Sequence, residues 1–141
     1  MIKLIALLKR KEGMPREDFA PRWVEEHTKI SARLPGCKGY RINICTPRQP
    51  EGAEEEPWFD GTAELWWDSI EDMENSFATP IGVEAGVDGD SFTRIRHHLY
   101  TQEFIIIPGP EEKKKRTPTK RAAKKATKKT ARKVAAKRRG R

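Results

Sequence analysis

The apolar positions of this chain change rhythm from segment to segment, and each rhythm predicts an element. Residues 2–8 form an almost continuous apolar run, broken only by Lys3. The run is too short for a helix of its own and predicts a strand buried on both faces. Beyond Gly13, Pro15 suits a first helical turn, and Phe19, Trp23, His27, Ile30 and Leu34 recur at spacings of four, four, three and four. That spacing defines one face of a helix. Glu17 and Asp18 complement its N-terminal dipole, and Pro35-Gly36 ends it. Tyr40, Ile42 and Ile44 then alternate with Arg41 and Asn43, the period of a strand. Residues 46–57 hold three prolines, a glycine and several acids, and predict a long exposed loop. Asp60-Gly61 is a turn signal before a strand over 62–67. Ser69, with Asp72 three residues on, predicts an N-cap, and Ile70, Met73 and Phe77 mark the inner face of the helix it opens. Thr79-Pro80 ends or kinks that helix, and the Gly-rich, acidic residues 82–90 predict a short irregular helix and loop. Residues 98–107, rich in β-branched and aromatic side chains, predict the last strand.

The resulting order, βαββαβ, is the ferredoxin-like supersecondary pattern, an α+β fold with an antiparallel four-stranded sheet and two helices on one face. The opposite sheet face is then left bare. Trp66 or Trp67, Ile106 or Ile107 and half of the first strand must point that way. An apolar sheet face needs a cover, and a second copy of the chain is the economical one, so a homodimer is expected.

Charge divides the chain in two. Residues 1–110 carry 13 Lys and Arg against 19 Asp and Glu, a net of −6, whereas residues 111–141 carry 16 against 2, a net of +14. Together these give the overall +8. All aromatic residues lie in the first part, so residues 1–110 are expected to fold as one domain and residues 111–141 to form a disordered basic tail. The tail has a pattern. Basic doublets stand at Lys120-Arg121, Lys124-Lys125, Lys128-Lys129 and Arg132-Lys133, then at Lys137-Arg138 followed by Arg139. Alanines and threonines fill the intervals, and residues four apart share a helix face. Such a segment predicts a sequence-blind contact with DNA or another polyanion, partly helical when bound. Cys37 and Cys45, on one strand, are expected about 26 Å apart at ~3.3 Å per residue, too far for a disulfide and consistent with two reduced thiols. No stretch reaches the ~20 apolar residues of a membrane span. A cytoplasmic and nucleoid-associated protein is expected.

Residues 1–10, Gly13-Met14, then Phe19 with Trp23, Glu26 and His27, and Leu34-Pro35-Gly36 resemble the start of an EthD-domain protein. Residues 59–73, including Gly61-Thr62-Ala63-Glu64-Leu65-Trp66-Trp67-Asp68, continue the likeness, which covers about residues 1–107. The tail lies outside it and is similar instead to the lysine–alanine tails of linker histones and bacterial histone-like proteins. The EthD resemblance implies a dimeric α/β barrel, in which two ferredoxin-like subunits pack sheet to sheet. It also implies chemistry on a small organic molecule: oxidoreductase, or cofactor-independent isomerase, cyclase or decarboxylase. The alternative is a non-enzymatic nucleoid-associated protein that uses the dimeric domain as a connector between two tails.

Among candidate residues His27 leads. It lies in the middle of an apolar helical stripe and matches the histidine of the family's tryptophan–histidine helix motif. An imidazole there can act as general base or acid near pH 7, or simply be a hydrogen-bonded core histidine. Tyr40, Asn43, Glu64 and Trp66 are candidate ligand contacts, with Asp60 and Trp67 beside them. Glu64 is expected either to have a raised pKa in an aromatic setting or to pair with Arg41 or Arg94. His97-His98 does not make a metal site, because neighbours on a strand diverge, and no metal-binding or phosphate-loop spacing occurs. No cofactor is implied by any motif.

Overall fold

The computed structural model describes residues 1–52, 56–107 and 109. The chain divides into two units, Met1–Phe104 and Ile105–Arg141. Of the second, only 105–107 and 109 are described, and Ile105, Ile106 and Ile107 are exposed. The basic doublets of the tail lie outside the described residues.

In the first unit the elements run β1 (Ile2–Arg10), α1 (Arg16–Pro21), a π-helical segment (Arg22–His27), α2 (Thr28–Ser31), β2 (Gly39–Ile44), β3 (Gly61–Trp67), α3 (Ile70–Ala78), α4 (Pro80–Phe92) and β4 (Thr93–Thr101). The sheet is ordered β2-β3-β1-β4, and every pair is antiparallel. This is the expected ferredoxin-like arrangement. Register is set by side-chain alternation: Leu4 faces Leu65 and Ala6 faces Ala63 across β1 and β3, and these four are buried under the helices. Phe19, Trp23, Trp67, Met73 and Phe92 complete the core. The intervening positions of β1, Ile5 and Leu7, are half-buried, so among the described residues β1 is covered on one face.

Several elements depart from the sequence expectation for definable reasons. The first helix is not uniformly α: helical dihedrals run through both junctions of the π segment. A π turn adds a residue and rotates the helix beyond it, so Ser31 is buried in place of Ile30. In α3, Ser76 rather than Ile70 joins Met73 inside, and Ile70 is 46% exposed. Residues 82–90 are not irregular but belong to the regular helix α4, which Thr79 caps by accepting from Gly82 N at 3.2 Å and Pro80 opens. The last strand is Thr93–Thr101, five residues earlier than 98–107. Ile106 and Ile107 therefore do not contribute to the sheet. The Ser69 cap forms as expected, accepting from Asp72 N at 3.1 Å, and both cysteines are free thiols. No helix among the described residues is long and apolar enough to cross a membrane.

Candidate site for ligand binding and proton transfer

Small residues facing one another open a cavity of about 90 Å³ between the helices and the sheet. Ala6 and Ala63 pair on its floor, with His98 of β4 next to Ala6. Above them α4 presents Ala85, Gly86 and Gly89. Larger residues at Ala6, Ala63, Ala85 or Gly86 would fill the space. The walls are mostly apolar, Trp23, Leu34, Leu65 and Phe77 among them. Five polar side chains reach the lining: His27, Ser31, Tyr40, Arg96 and His98.

His27 enters from the π segment and is 9% exposed. Its Nδ1 lies 2.8 Å from Asp88 Oδ2 on α4, and the ring meets the edge of Phe92 at 5.3 Å between centroids. Asp88 is fixed in turn by a two-pronged contact from Arg22, at 2.7 and 3.2 Å. That bond to Arg22 holds the Asp88 carboxyl below its usual range. Burial pushes the His27 imidazole below its ordinary value, opposed by Asp88 and reinforced by the charges of Arg22 and Arg96. A neutral ring beside an ionised carboxylate donates its Nδ1–H to it, which leaves the Nε2 lone pair free, and Nε2 has no partner among the described residues. An imidazole held in this way can accept a proton at Nε2.

The other polar groups surround this base. Ser31 Oγ donates to the His27 carbonyl at 3.1 Å and shares a hydrogen bond with the Tyr40 hydroxyl at 3.3 Å. Burial raises the Tyr40 phenol above its ordinary value, so it stays protonated at neutral pH. Arg96 donates from Nη1 to the Gly86 carbonyl at 3.1 Å and from Nη2 to Asp90 at 2.8 Å. It can lie against α4 because a Cβ at Gly89 would collide with Nη1. His98 is exposed as a residue on the edge strand, but its ring stacks on Phe77. Burial of the ring, and then the charge of Arg96, lowers its pKa.

Of the residues expected from sequence, His27 and Tyr40 therefore meet at one cavity. Asn43, Glu64 and Trp66 do not join them, because they occupy the opposite face of the sheet. There Glu64 is paired neither with Arg41 nor with Arg94, but with Lys3, and it accepts from Asn43 at 3.2 Å. Lys3 Nζ also meets Glu103 at 2.7 Å, and Trp66 Nε1 donates to the same carboxylate at 3.3 Å. Arg41 lies over the Trp66 ring, 5.2 Å from its centroid. Trp67 is fully buried, with Nε1 donating to the Pro35 carbonyl at 3.1 Å. Asp60, 1% exposed, is a structural anchor held by Arg10 and by the Arg10 backbone N–H at 2.9 Å. Among the described residues no cluster of His, Cys, Asp and Glu could hold a metal ion. Sequence reasoning missed Asp88, Arg96 and Ser31. The first two lie in segments whose pattern reads as irregular or as preceding the strand.

The architecture and its buried histidine define a ferredoxin-like α+β domain with a small, half-enclosed cavity between helices and sheet. The EthD domain family model matches residues 11–96, and the chain belongs to that family. No curated protein matches it. Among solved structures it is similar to an EthD family protein from Bacillus halodurans, at 22% identity and a TM-score of 0.62, over 74% of this chain and 99% of that one. It is also similar to a dimeric ferredoxin-like protein of unknown function from Thermobifida fusca, at 16% identity and a TM-score of 0.56, over 71% and 88% of the two chains. A third likeness is to a mutant of SnoaB, a cofactor-independent oxygenase from Streptomyces nogalater, at 11% identity and a TM-score of 0.53, over 77% and 97%. At these identities the likeness is one of fold.

Proposed function

We propose that this EthD domain binds a small organic molecule in the cavity and that His27 Nε2 exchanges a proton with it. The observation that carries the reading is the arrangement Arg22–Asp88–His27, which orients a neutral imidazole with one nitrogen spoken for and the other free beside an apolar cavity. A core histidine needs a partner for its N–H, but it does not need a cavity beside its ring. At about 90 Å³ the cavity is smaller than the ~300–1,000 Å³ usual for ligand pockets. It suits a compact molecule, or the reactive end of a longer one. Because the core is not filled, the reading favours a ligand over a purely connecting role.

The sheet face left uncovered among the described residues, with Ile5, Leu7, Trp66 and Leu99, supports a homodimer, as does the description of the Thermobifida fusca relative as dimeric. The tail's net charge of +14 supports attachment to DNA or another polyanion and, through it, a place at the nucleoid. The direct test of the cavity is an amide-shift screen of small carbonyl compounds and phenols against the isotopically labelled full chain. Binding is expected to move the Gly86 and Gly89 amides and to disappear in Ala63→Leu, which fills the floor. Compounds that bind Ala63→Leu as well as the wild type would show that the cavity is not the site.

A further inference from the structure

We propose that the cavity selects an oxyanion, and that Arg96 is the residue that holds it. The ligand class this defines is a small enolisable carbonyl compound, whose enolate oxygen would lie against the guanidinium. The chemistry rests on the proton-transfer reading of His27, but the selection for an anion is testable by binding alone.

Arg96 is the one permanently charged side chain in the cavity lining. It approaches the cavity through the small face of α4, over Gly86 and Gly89. Two of its five N–H groups are used, one on the Gly86 carbonyl and one on Asp90. Asp90 is 73% exposed as a side chain, so water screens its charge and it offsets little of the positive potential inside. Asp88, the other acid nearby, is committed to Arg22 and to His27 Nδ1. His98 and Tyr40 are neutral when unprotonated and protonated respectively, and Ser31 bears no charge. A cavity built in this way, with an apolar floor and one cation, favours a ligand that is or becomes negative.

The same arrangement resolves a difficulty for His27. Its protonated form is disfavoured both by burial and by Arg96, so a proton taken up from solvent would leave two cations together. If the ligand gives up the proton, its own negative charge stands between them. His27 Nε2 takes the proton from the carbon beside the carbonyl. The C–H electron pair becomes the new C=C bond, and the C=O π pair moves onto oxygen, where Arg96 meets it. Return of the proton from His27 restores a neutral carbonyl compound, at the same carbon or at another.

The probe is a matched pair, butyrate and butyramide, since a carboxylate reproduces the planar delocalised oxyanion and the amide does not. Titration of the full chain, followed by the Gly86 and Gly89 amides, is expected to show butyrate binding about ten-fold or more tighter, the range of a charge-assisted hydrogen bond. Arg96→Gln should erase the preference by weakening butyrate far more than butyramide, and Arg96→Lys should keep part of it. Gly89→Ala is a second route. It retains the charge but displaces the guanidinium, and should also erase the preference, so the result does not depend on Arg96→Gln folding well. Equal binding of the two probes, or a preference that survives both Arg96→Gln and Gly89→Ala, would overturn the assignment. His27 could still act as a base in that event. Conversely, an intact butyrate preference with no proton exchange by His27 would leave Arg96 as an anion holder and remove the base.

Discussion

Replacing Asp88 by Asn tests the orientation of His27 without any ligand. In the wild type a carboxylate 2.8 Å from Nδ1 can only accept, so the neutral ring must carry its proton on Nδ1. Asparagine has the same shape but both an acceptor and a donor, and either tautomer can then be satisfied. A hydrogen bond to a charged acceptor contributes about 1.5–3 kcal/mol, so its loss removes a bias of roughly ten- to a hundred-fold between the tautomers. The titration moves as well. Asp88 is the group that raises the His27 pKa, against burial, Arg22 and Arg96, so the Asn variant should titrate lower still. Long-range proton–nitrogen correlation at neutral pH reads both effects. In the wild type Nδ1 should be of the protonated type and Nε2 of the lone-pair type, and in Asp88→Asn both nitrogens should move towards averaged values. A wild-type ring protonated at Nε2, or a variant with an unchanged pattern, would refute the reasoning.

Further outcomes rest on the same contacts. Folding lowers the His27 pKa below its ordinary 6.5, so the unfolded chain binds the extra proton; stability from this source is fully present above pH 6.5 and is lost as pH falls through the folded value. The unfolding free energy from urea melts should therefore drop on going from pH 7.5 to 5.5 by at most about 1.4 kcal/mol per pH unit per group; His27→Gln should flatten the slope, and His98→Gln should remove the further share due to that ring. Asp60→Ala leaves the Arg10 backbone N–H without its acceptor and removes one of the two carboxylates that face Arg10 and the buried Lys9, which keep Glu56, and should cost about 1–3 kcal/mol in urea unfolding, whereas Asp68→Ala, which breaks the exposed pair with Lys38, should leave the urea midpoint nearly unchanged. In fluorescence anisotropy on a random-sequence duplex, changing Lys124, Lys125, Lys128 and Lys129 together to Gln should weaken binding of the full chain and reduce its salt slope by about 0.9 per lost phosphate contact; an unaltered slope would remove the tail from the interface.

The parts of the fold carried by local periodicity were legible in the chain. The stripe through Phe19, Trp23 and His27, the alternation around Ile42, and the Ser69 cap all depend on near neighbours in sequence. The exceptions show where tertiary context took over. Ser31 replaces Ile30 because a π turn shifts the face, and nothing in the spacing announces that turn. Helix α4 looks irregular in sequence because Gly82, Gly86 and Gly89 are poor helix formers. Two of them allow close packing, Gly82 against the Phe77 backbone and Gly89 against Arg96. The Thr79 cap and Pro80 at the first turn are visible in the chain, but the same pair reads as a stop as readily as a start. In β4 the alternation of Arg94, Arg96 and His98 with Ile95 and His97 is present, but the β-branched run at 105–107 draws the expected strand downstream. Together these two ambiguities hide half of the site, since Asp88 and Arg96 lie on those two elements. Trp66, Glu64 and Asn43 do share one sheet face, but it is the face turned away from His27.

The central question is whether His27 moves a proton to and from a bound ligand. Solvent-deuterium incorporation into a small enolisable ketone, followed by proton NMR with the full chain at neutral pH, measures this. The wild type is expected to accelerate exchange at the carbon beside the carbonyl, and His27→Gln to slow it by at least about a hundred-fold, the lower end of what a positioned base contributes. Exchange by His27→Gln at the wild-type rate would contradict the account and leave His27 as a structural residue of the core.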